Sequence, residues 1–161
     1  MRWWRRSKPL FVALSLSYLT AGLGAALTEL GPWYFALKQP SWKPPDAAFG
    51  VIWTSIFTLT AISAAMAWQA AQTKQAQRKV WFLFGLNALL NVVWSALYFK
   101  LQRPDWALAE WVLLWLSVLS LVLGFWQSSR RTAYLNCPYL LWVTVAGGLN
   151  LATIRLNGPF T

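Results

Sequence analysis

The side chains able to do chemistry of their own are few. The 161 residues include no His, one Cys (Cys137) and two Met. A single Cys without His cannot build a four-ligand zinc site or an intrachain disulfide. Without His there is no Ser/His/Asp relay, and no imidazole to hold haem iron or shuttle a proton. Asp46, Asp105 and Glu110 lie near different helix ends, which argues against a paired-carboxylate acid–base centre. No glycine-rich phosphate loop is visible. No metal site, cofactor or catalytic residue is therefore expected, and an ordinary hydrolase or metalloenzyme is disfavoured. What the chain has in excess is flat aromatic surface, with 13 Trp, 9 Phe and 5 Tyr. Joined to a few hydrogen-bond donors, that inventory suits a flat, largely apolar small molecule held by stacking and packing.

The elements that must position these rings follow from composition. Hydrophobic residues make up 58% and charged residues 11%, too few charges for a water-exposed surface of this size. The aromatic and apolar content also excludes disorder. Fourteen basic residues against four acidic leave a net charge of +10. The basic residues fall between long apolar runs, which places them at the ends of membrane helices and not on a nucleic-acid-binding stripe. Membrane lipid is the expected surrounding, with no nucleic-acid partner.

A hydrocarbon core about 30 Å thick takes about 20 helical residues to cross. Five runs qualify, at 9–30, 47–71, 80–99, 106–127 and 133–155. The reading is an all-α integral membrane protein, a five transmembrane helix bundle forming one domain over residues 1–161. The runs lack the alternation of barrel strands, and a continuous helix satisfies its own backbone in lipid. The first run is too long for a signal-peptide core and is read as a mature helix. Trp3, Trp4, Trp68, Trp81, Trp106 and Trp126 mark span ends, where amphipathic rings sit at headgroup level. Trp53, Trp94, Trp111, Trp115 and Trp142 lie deeper, where such a belt does not explain them. Nine Lys and Arg fall on the N-terminal side and five on the other, a bias favouring a cytoplasmic N-terminus and an outside C-terminus; a bacterial cell membrane is the expected location.

The connection over 31–45 stands apart. Its four prolines prevent a continuous helix, and Pro44-Pro45 can open the next one. Yet it carries Trp33, Tyr34, Phe35 and Trp42, more aromatic surface than a solvated linker needs. A lid folded onto the bundle is expected, the alternative being a loop lying flat in the interface. Asn87, Asn91 and Ser95 recur every four residues and share a helix face, as do Asn150 and Asn157. Buried in the membrane they either bond between helices or line a polar spot in a cavity. Gly22 and Ala26, Ala61 and Ala65, and Gly147-Gly148 are spaced for close helix approach, within a monomer or in a dimer.

These residues resemble a known family. Trp33-Tyr34, Leu37 and Lys38-Gln39-Pro40-Ser41-Trp42-Lys43-Pro44-Pro45 are similar to the WY-x-x-L-x-KPSW-x-PP signature of the TspO/MBR family, the tryptophan-rich sensory proteins related to the mitochondrial translocator protein. Val51-Ile52-Trp53-Thr54, Asn87 with Asn91-Val92-Val93-Trp94-Ser95, Trp106-Ala107-Leu108 with Glu110, and Pro138-Tyr139-Leu140-Leu141-Trp142-Val143 resemble its further motifs in order. Leu149-Asn150 and Leu156-Asn157 resemble its closing asparagines. The resemblance implies five transmembrane helices, homodimers, and a pocket inside the bundle beneath the first loop that binds porphyrins such as protoporphyrin IX. By position it implies ligand-binding roles for Trp33, Tyr34, Trp42, Trp53, Asn87, Trp94, Trp142 and Ala146. Two departures stand out. Gln39 occupies the place of the lysine before Pro-Ser-Trp, with Lys38 one residue earlier. Leu151 occupies the tyrosine of the sterol motif found in mammalian relatives, so sterol binding is not expected.

The function expected is a membrane receptor or transporter for tetrapyrroles, or another flat apolar ligand. Lys38 and Lys43 are candidates to pair with propionates. Two rivals stand beside it, light-dependent porphyrin degradation at the pocket tryptophans and a structural role recruiting other membrane proteins.

Overall fold

The structure, a computed structural model, describes residues 2–126 and 129–160, with side chains from residue 7 onward. The side chains of Arg2, Trp3, Trp4, Arg5 and Arg6, read above as interfacial anchors and orienting charges, lie outside that description. In chain order the helices are α1 (Arg2–Leu27), α2 (Pro32–Ala36), α3 (Asp46–Ala70), α4 (Lys74–Ser95, running on through a π turn at Ala96–Lys100), α5 (Pro104–Trp126), α6 (Arg130–Tyr134) and α7 (Cys137–Asn157). Five segments are long and apolar enough to cross a membrane: Ser7–Leu27, Asp46–Ala70, Lys74–Lys100, Pro104–Trp126 and Arg130–Asn157. The protein is an all-α, multi-pass integral membrane protein.

Several boundaries differ from the apolar runs, each for a local reason. The first span stops at Leu27, not at 30, and Thr28 bonds back to the Gly24 carbonyl at 2.8 Å. The third span begins six residues earlier than its apolar run, because Thr73 caps the helix by accepting from the Ala76 N–H at 3.1 Å. Lys74, Arg78 and Lys79 therefore ride on helical turns and not in a loop. Gln102 adopts the left-handed conformation (φ 54°) where the chain reverses. Pro104 then opens α5, its missing N–H costing nothing in a first turn. The last run is interrupted. Asn136 separates α6 from α7, and its amide is spent on Ser63 Oγ (2.7 Å) and the Thr132 carbonyl (3.2 Å).

Two apolar clusters hold the bundle. Ala13 of α1 meets Ala61, Ala64, Ala65 and Ala67 of α3, with Val80, Phe84, Leu121 and Phe125 closing the cluster. Small side chains let α1 and α3 approach closely, so Ala61 and Ala65 serve packing within the monomer. Gly22 and Ala26 stand exposed, and nothing lies within 4 Å of where a Gly22 Cβ would sit. The second cluster joins Ile56, Leu114, Val118, Tyr139, Trp142 and Val143.

The α5–α7 seam is fastened by indoles. Trp111 Nε1 donates to the Val143 carbonyl and Trp115 Nε1 to Thr144 Oγ1, both at 2.8 Å. The Trp111 ring lies over Gly147, where a Cβ would fall 2.2 Å from it. Only glycine permits that approach. The Asn150 amide, oriented to satisfy its neighbours, donates to the Pro104 carbonyl (3.0 Å) and accepts from the Leu108 N–H (3.2 Å), fixing the start of α5. Packing between α3 and α7 is sparser, and the space it leaves is the site described next.

Candidate functional site

A cavity of about 460 Å³ lies between α1, α3, α4 and α7, beneath the 31–45 connection. Its α3 wall is a stripe of Phe49, Trp53 and Phe57, four residues apart and so on one helix face. Trp53 stacks on Phe57 (centroids 5.4 Å, 25°) and meets Tyr139 edge-on at 6.1 Å. From α7, Trp142 packs edge-on against Phe49 at 5.4 Å, and Ala146 lies one turn further along the same face. From α4, Trp94 stacks on Tyr98 (5.0 Å, 24°), with Phe99 beside it. The α1 wall is made of small residues, Thr20, Ala21, Gly24 and Ala25. One side is thus aromatic and the other thin, leaving a slot between them.

The indole N–H groups of Trp94 and Trp142 are buried within the walls and, among the described residues, find no acceptor. Trp111 and Trp115, by contrast, spend theirs on α7. A buried N–H without an acceptor is destabilising by about 1–3 kcal/mol. Asn91 also reaches the wall, where its amide donates to the Tyr139 hydroxyl, and that hydroxyl donates in turn to Asn87 Oδ1 at 3.2 Å. Asn87 Nδ2 donates to Ser117 Oγ at 2.9 Å. Asn87 is thereby committed to tying α4 to α5 and α7.

The 31–45 connection roofs the cavity. Asp46 accepts from the Tyr34 hydroxyl at 2.8 Å and from Lys43 Nζ at 2.5 Å. Burial pushes the Tyr34 phenol above its ordinary pKa, and the bond to Asp46 pushes it further. Lys43 Nζ also stands 5.7 Å from the ring centroids of both Tyr34 and Phe49. At the other end of the roof, Asn157 grips the Lys38 backbone at two points. Its Oδ1 accepts from the Lys38 N–H (2.7 Å) and its Nδ2 donates to the Lys38 carbonyl (2.9 Å). The connection is a pinned lid, not a strap lying flat.

Of the residues named from the sequence, Tyr34, Trp53, Trp94, Trp142 and Ala146 meet at this cavity. Trp33, Trp42 and Asn87 are not in its wall. Trp33 packs edge-on to Tyr98 at 6.2 Å, within the roof's support. Trp42 is 53% exposed and rests on α7, 3.5 Å from where a Gly148 Cβ would lie. Lys43 is bound to Asp46, whereas Lys38 is exposed and makes no ion pair among the described residues. Sequence reading passed over Phe49, Phe57, Phe99 and the α1 face. The four-residue spacings of Phe49-Trp53-Phe57 and of Thr20-Gly24-Thr28 were the available signals.

A model of the TspO/MBR family matches residues 11–156, the whole bundle from the first span to the last. The chain belongs to the TspO/MBR family. Among relatives, it is 34% identical over 151 residues to Protein CrtK of Rhodobacter capsulatus, covering 94% of each chain. It is 35% identical over 126 residues to the tryptophan-rich protein TspO of Chlorobaculum tepidum, covering 78% of this chain and 80% of that one. Similarity extends to the translocator protein of Homo sapiens, 28% identical over 127 residues, covering 78% and 75%. The lid, the aromatic stripe of α3 and the Trp142 face of α7 all fall inside the span matched by the TspO/MBR family.

Proposed function

We propose that this TspO/MBR protein is a receptor or transporter that binds tetrapyrroles of the protoporphyrin IX type in the cavity beneath the lid. The observation that carries the reading is an aromatic slot of about 460 Å³ walled by Trp53, Trp94 and Trp142, a volume within the range of small-molecule sites. A tetrapyrrole supplies a flat ring for Trp53, Trp94 and Trp142 to pack against. Its propionates suit Lys38, which is exposed on the lid. The same reading places the protein in a bacterial cell membrane as a homodimer, with the N-terminus cytoplasmic.

The test is a protoporphyrin IX titration of detergent-purified protein, read by Trp fluorescence, beside Trp142→Phe. Saturable quenching is expected, weakened about fivefold or more in Trp142→Phe, as for the loss of about 1 kcal/mol of ring packing. Linear, unsaturable quenching of equal size in both proteins refutes the site.

A further inference from the structure

Three of the four acidic side chains are neutralised by a base. Asp46 pairs with Lys43 at 2.5 Å, Glu29 with Lys100 at 2.5 Å, and Asp105 with Arg103. Glu110 is the exception. It lies within the α5 span, is 8% exposed, and neither of its carboxyl oxygens has a hydrogen-bond partner among the described residues. An ionised carboxylate placed there would have no donor or cation among the described residues to offset its charge, which burial makes strongly unfavourable. A neutral carboxylic acid there forgoes only its hydrogen bonds, a far smaller cost.

The neighbours supply no cation. Helix α5 packs against α4, the π turn, α6 and α7, and lightly against α3. From α7 the titratable group is Tyr139. From the π turn it is Tyr98, whose hydroxyl is bonded to Thr153 at 3.4 Å. Lys74, Arg78 and Lys79 of α4, and Arg130, Arg131 and Tyr134 of α6, stand at the opposite end of the bundle. Lys100, Arg103 and the α3 carboxylate Asp46 already have partners, and Arg155 is exposed on the last turn of α7. Tyr139 in turn exchanges hydrogen bonds with Asn87 and Asn91, and Asn91 lines the cavity.

We propose that Glu110 is a proton-binding site within the helix bundle, holding one proton taken from solvent. The proton site itself does not depend on which ligand the cavity takes.

Infrared spectroscopy of the full chain in lipid tests this directly. A solvated glutamate is fully ionised at pH 6. The wild type is expected to show the carbonyl band of a protonated carboxylic acid at that pH. The band disappears in Glu110→Gln and persists in Asp46→Asn and Asp105→Asn. Absence of the band from the wild type overturns the proposal, and that measurement needs no variant to fold. A band surviving Glu110→Gln overturns the assignment.

Discussion

Replacing Asn157 by Ala tests whether the 31–45 connection is a pinned lid. Asn157 forms two bonds to the Lys38 backbone, at 2.7 and 2.9 Å, across 119 residues of chain. Within the lid, the bonds near this point are short-range and longer. Phe35 N–H bonds to the Gly31 carbonyl at 3.2 Å and Leu37 N–H to the Tyr34 carbonyl at 3.3 Å. A net hydrogen bond is worth about 0.5–1.5 kcal/mol, so losing both makes lid opening easier by about 1–3 kcal/mol. At about 1.4 kcal/mol per factor of ten, the open population rises roughly five- to a hundredfold. Amide hydrogen exchange of the protein in lipid reads that population. The amides of residues 33–38 should exchange faster by that factor, while those in the middle of α5 keep their wild-type rates. Exchange at 33–38 within about twofold of wild type would refute the clamp, because the lid would then be held by its ring contacts alone. Faster exchange throughout the bundle would refute it differently, by showing that Asn157 stabilises the whole fold.

Three further outcomes are expected. Gly147→Ala drives a Cβ into the Trp111 ring, 2.2 Å away, and should destabilise the bundle by about 1–3 kcal/mol, as overpacking does; an unchanged thermal midpoint in detergent would refute the close approach. Trp94→Phe keeps the stacking on Tyr98 but shrinks the ring in the cavity wall, so a tetrapyrrole should bind about fivefold more weakly, as for about 1 kcal/mol of lost ring packing; equal affinity would show that the indole does not contact the ligand. The Tyr34 phenol is held above its ordinary pKa near 10 by burial and by Asp46, so its stabilising contribution is present below about pH 10 and lost as pH rises through the folded value. The tyrosinate absorbance missing from Tyr34→Phe should therefore titrate above the ordinary tyrosine range, and titration within that range would refute the buried latch.

Much of the architecture was legible in the order of residues, because a membrane imposes a one-dimensional rule. Any helix that crosses hydrocarbon needs about 20 apolar residues in a row, and five such runs can be counted without knowing how they meet. The ends were less legible. Thr73 and Pro104 start helices ahead of their apolar runs, because caps and prolines act on backbone groups and not on hydropathy. The lid was foreshadowed by prolines and rings crowded into one connection, although its anchor, Asn157, stands at the far end of the chain.

The inventory of possible chemistry was also settled by the sequence itself, since residues that are absent can take no part in any fold. Which of the 13 tryptophans serve which purpose was decided only in three dimensions. Trp111 and Trp94 are both deep and aromatic. One indole N–H meets a carbonyl on α7 and the other meets none, a difference set by helix rotation and packing. Asn87 and Asn91 share a helix face, yet one is committed between helices and the other reaches the cavity. Glu110 differs from the other acids for the same reason. Three carboxylates end beside a base, and the fourth is turned by α5 into the bundle, where no base follows. Spacing along the chain sets which residues share a face, but only the packing of helices distant in sequence sets what that face meets.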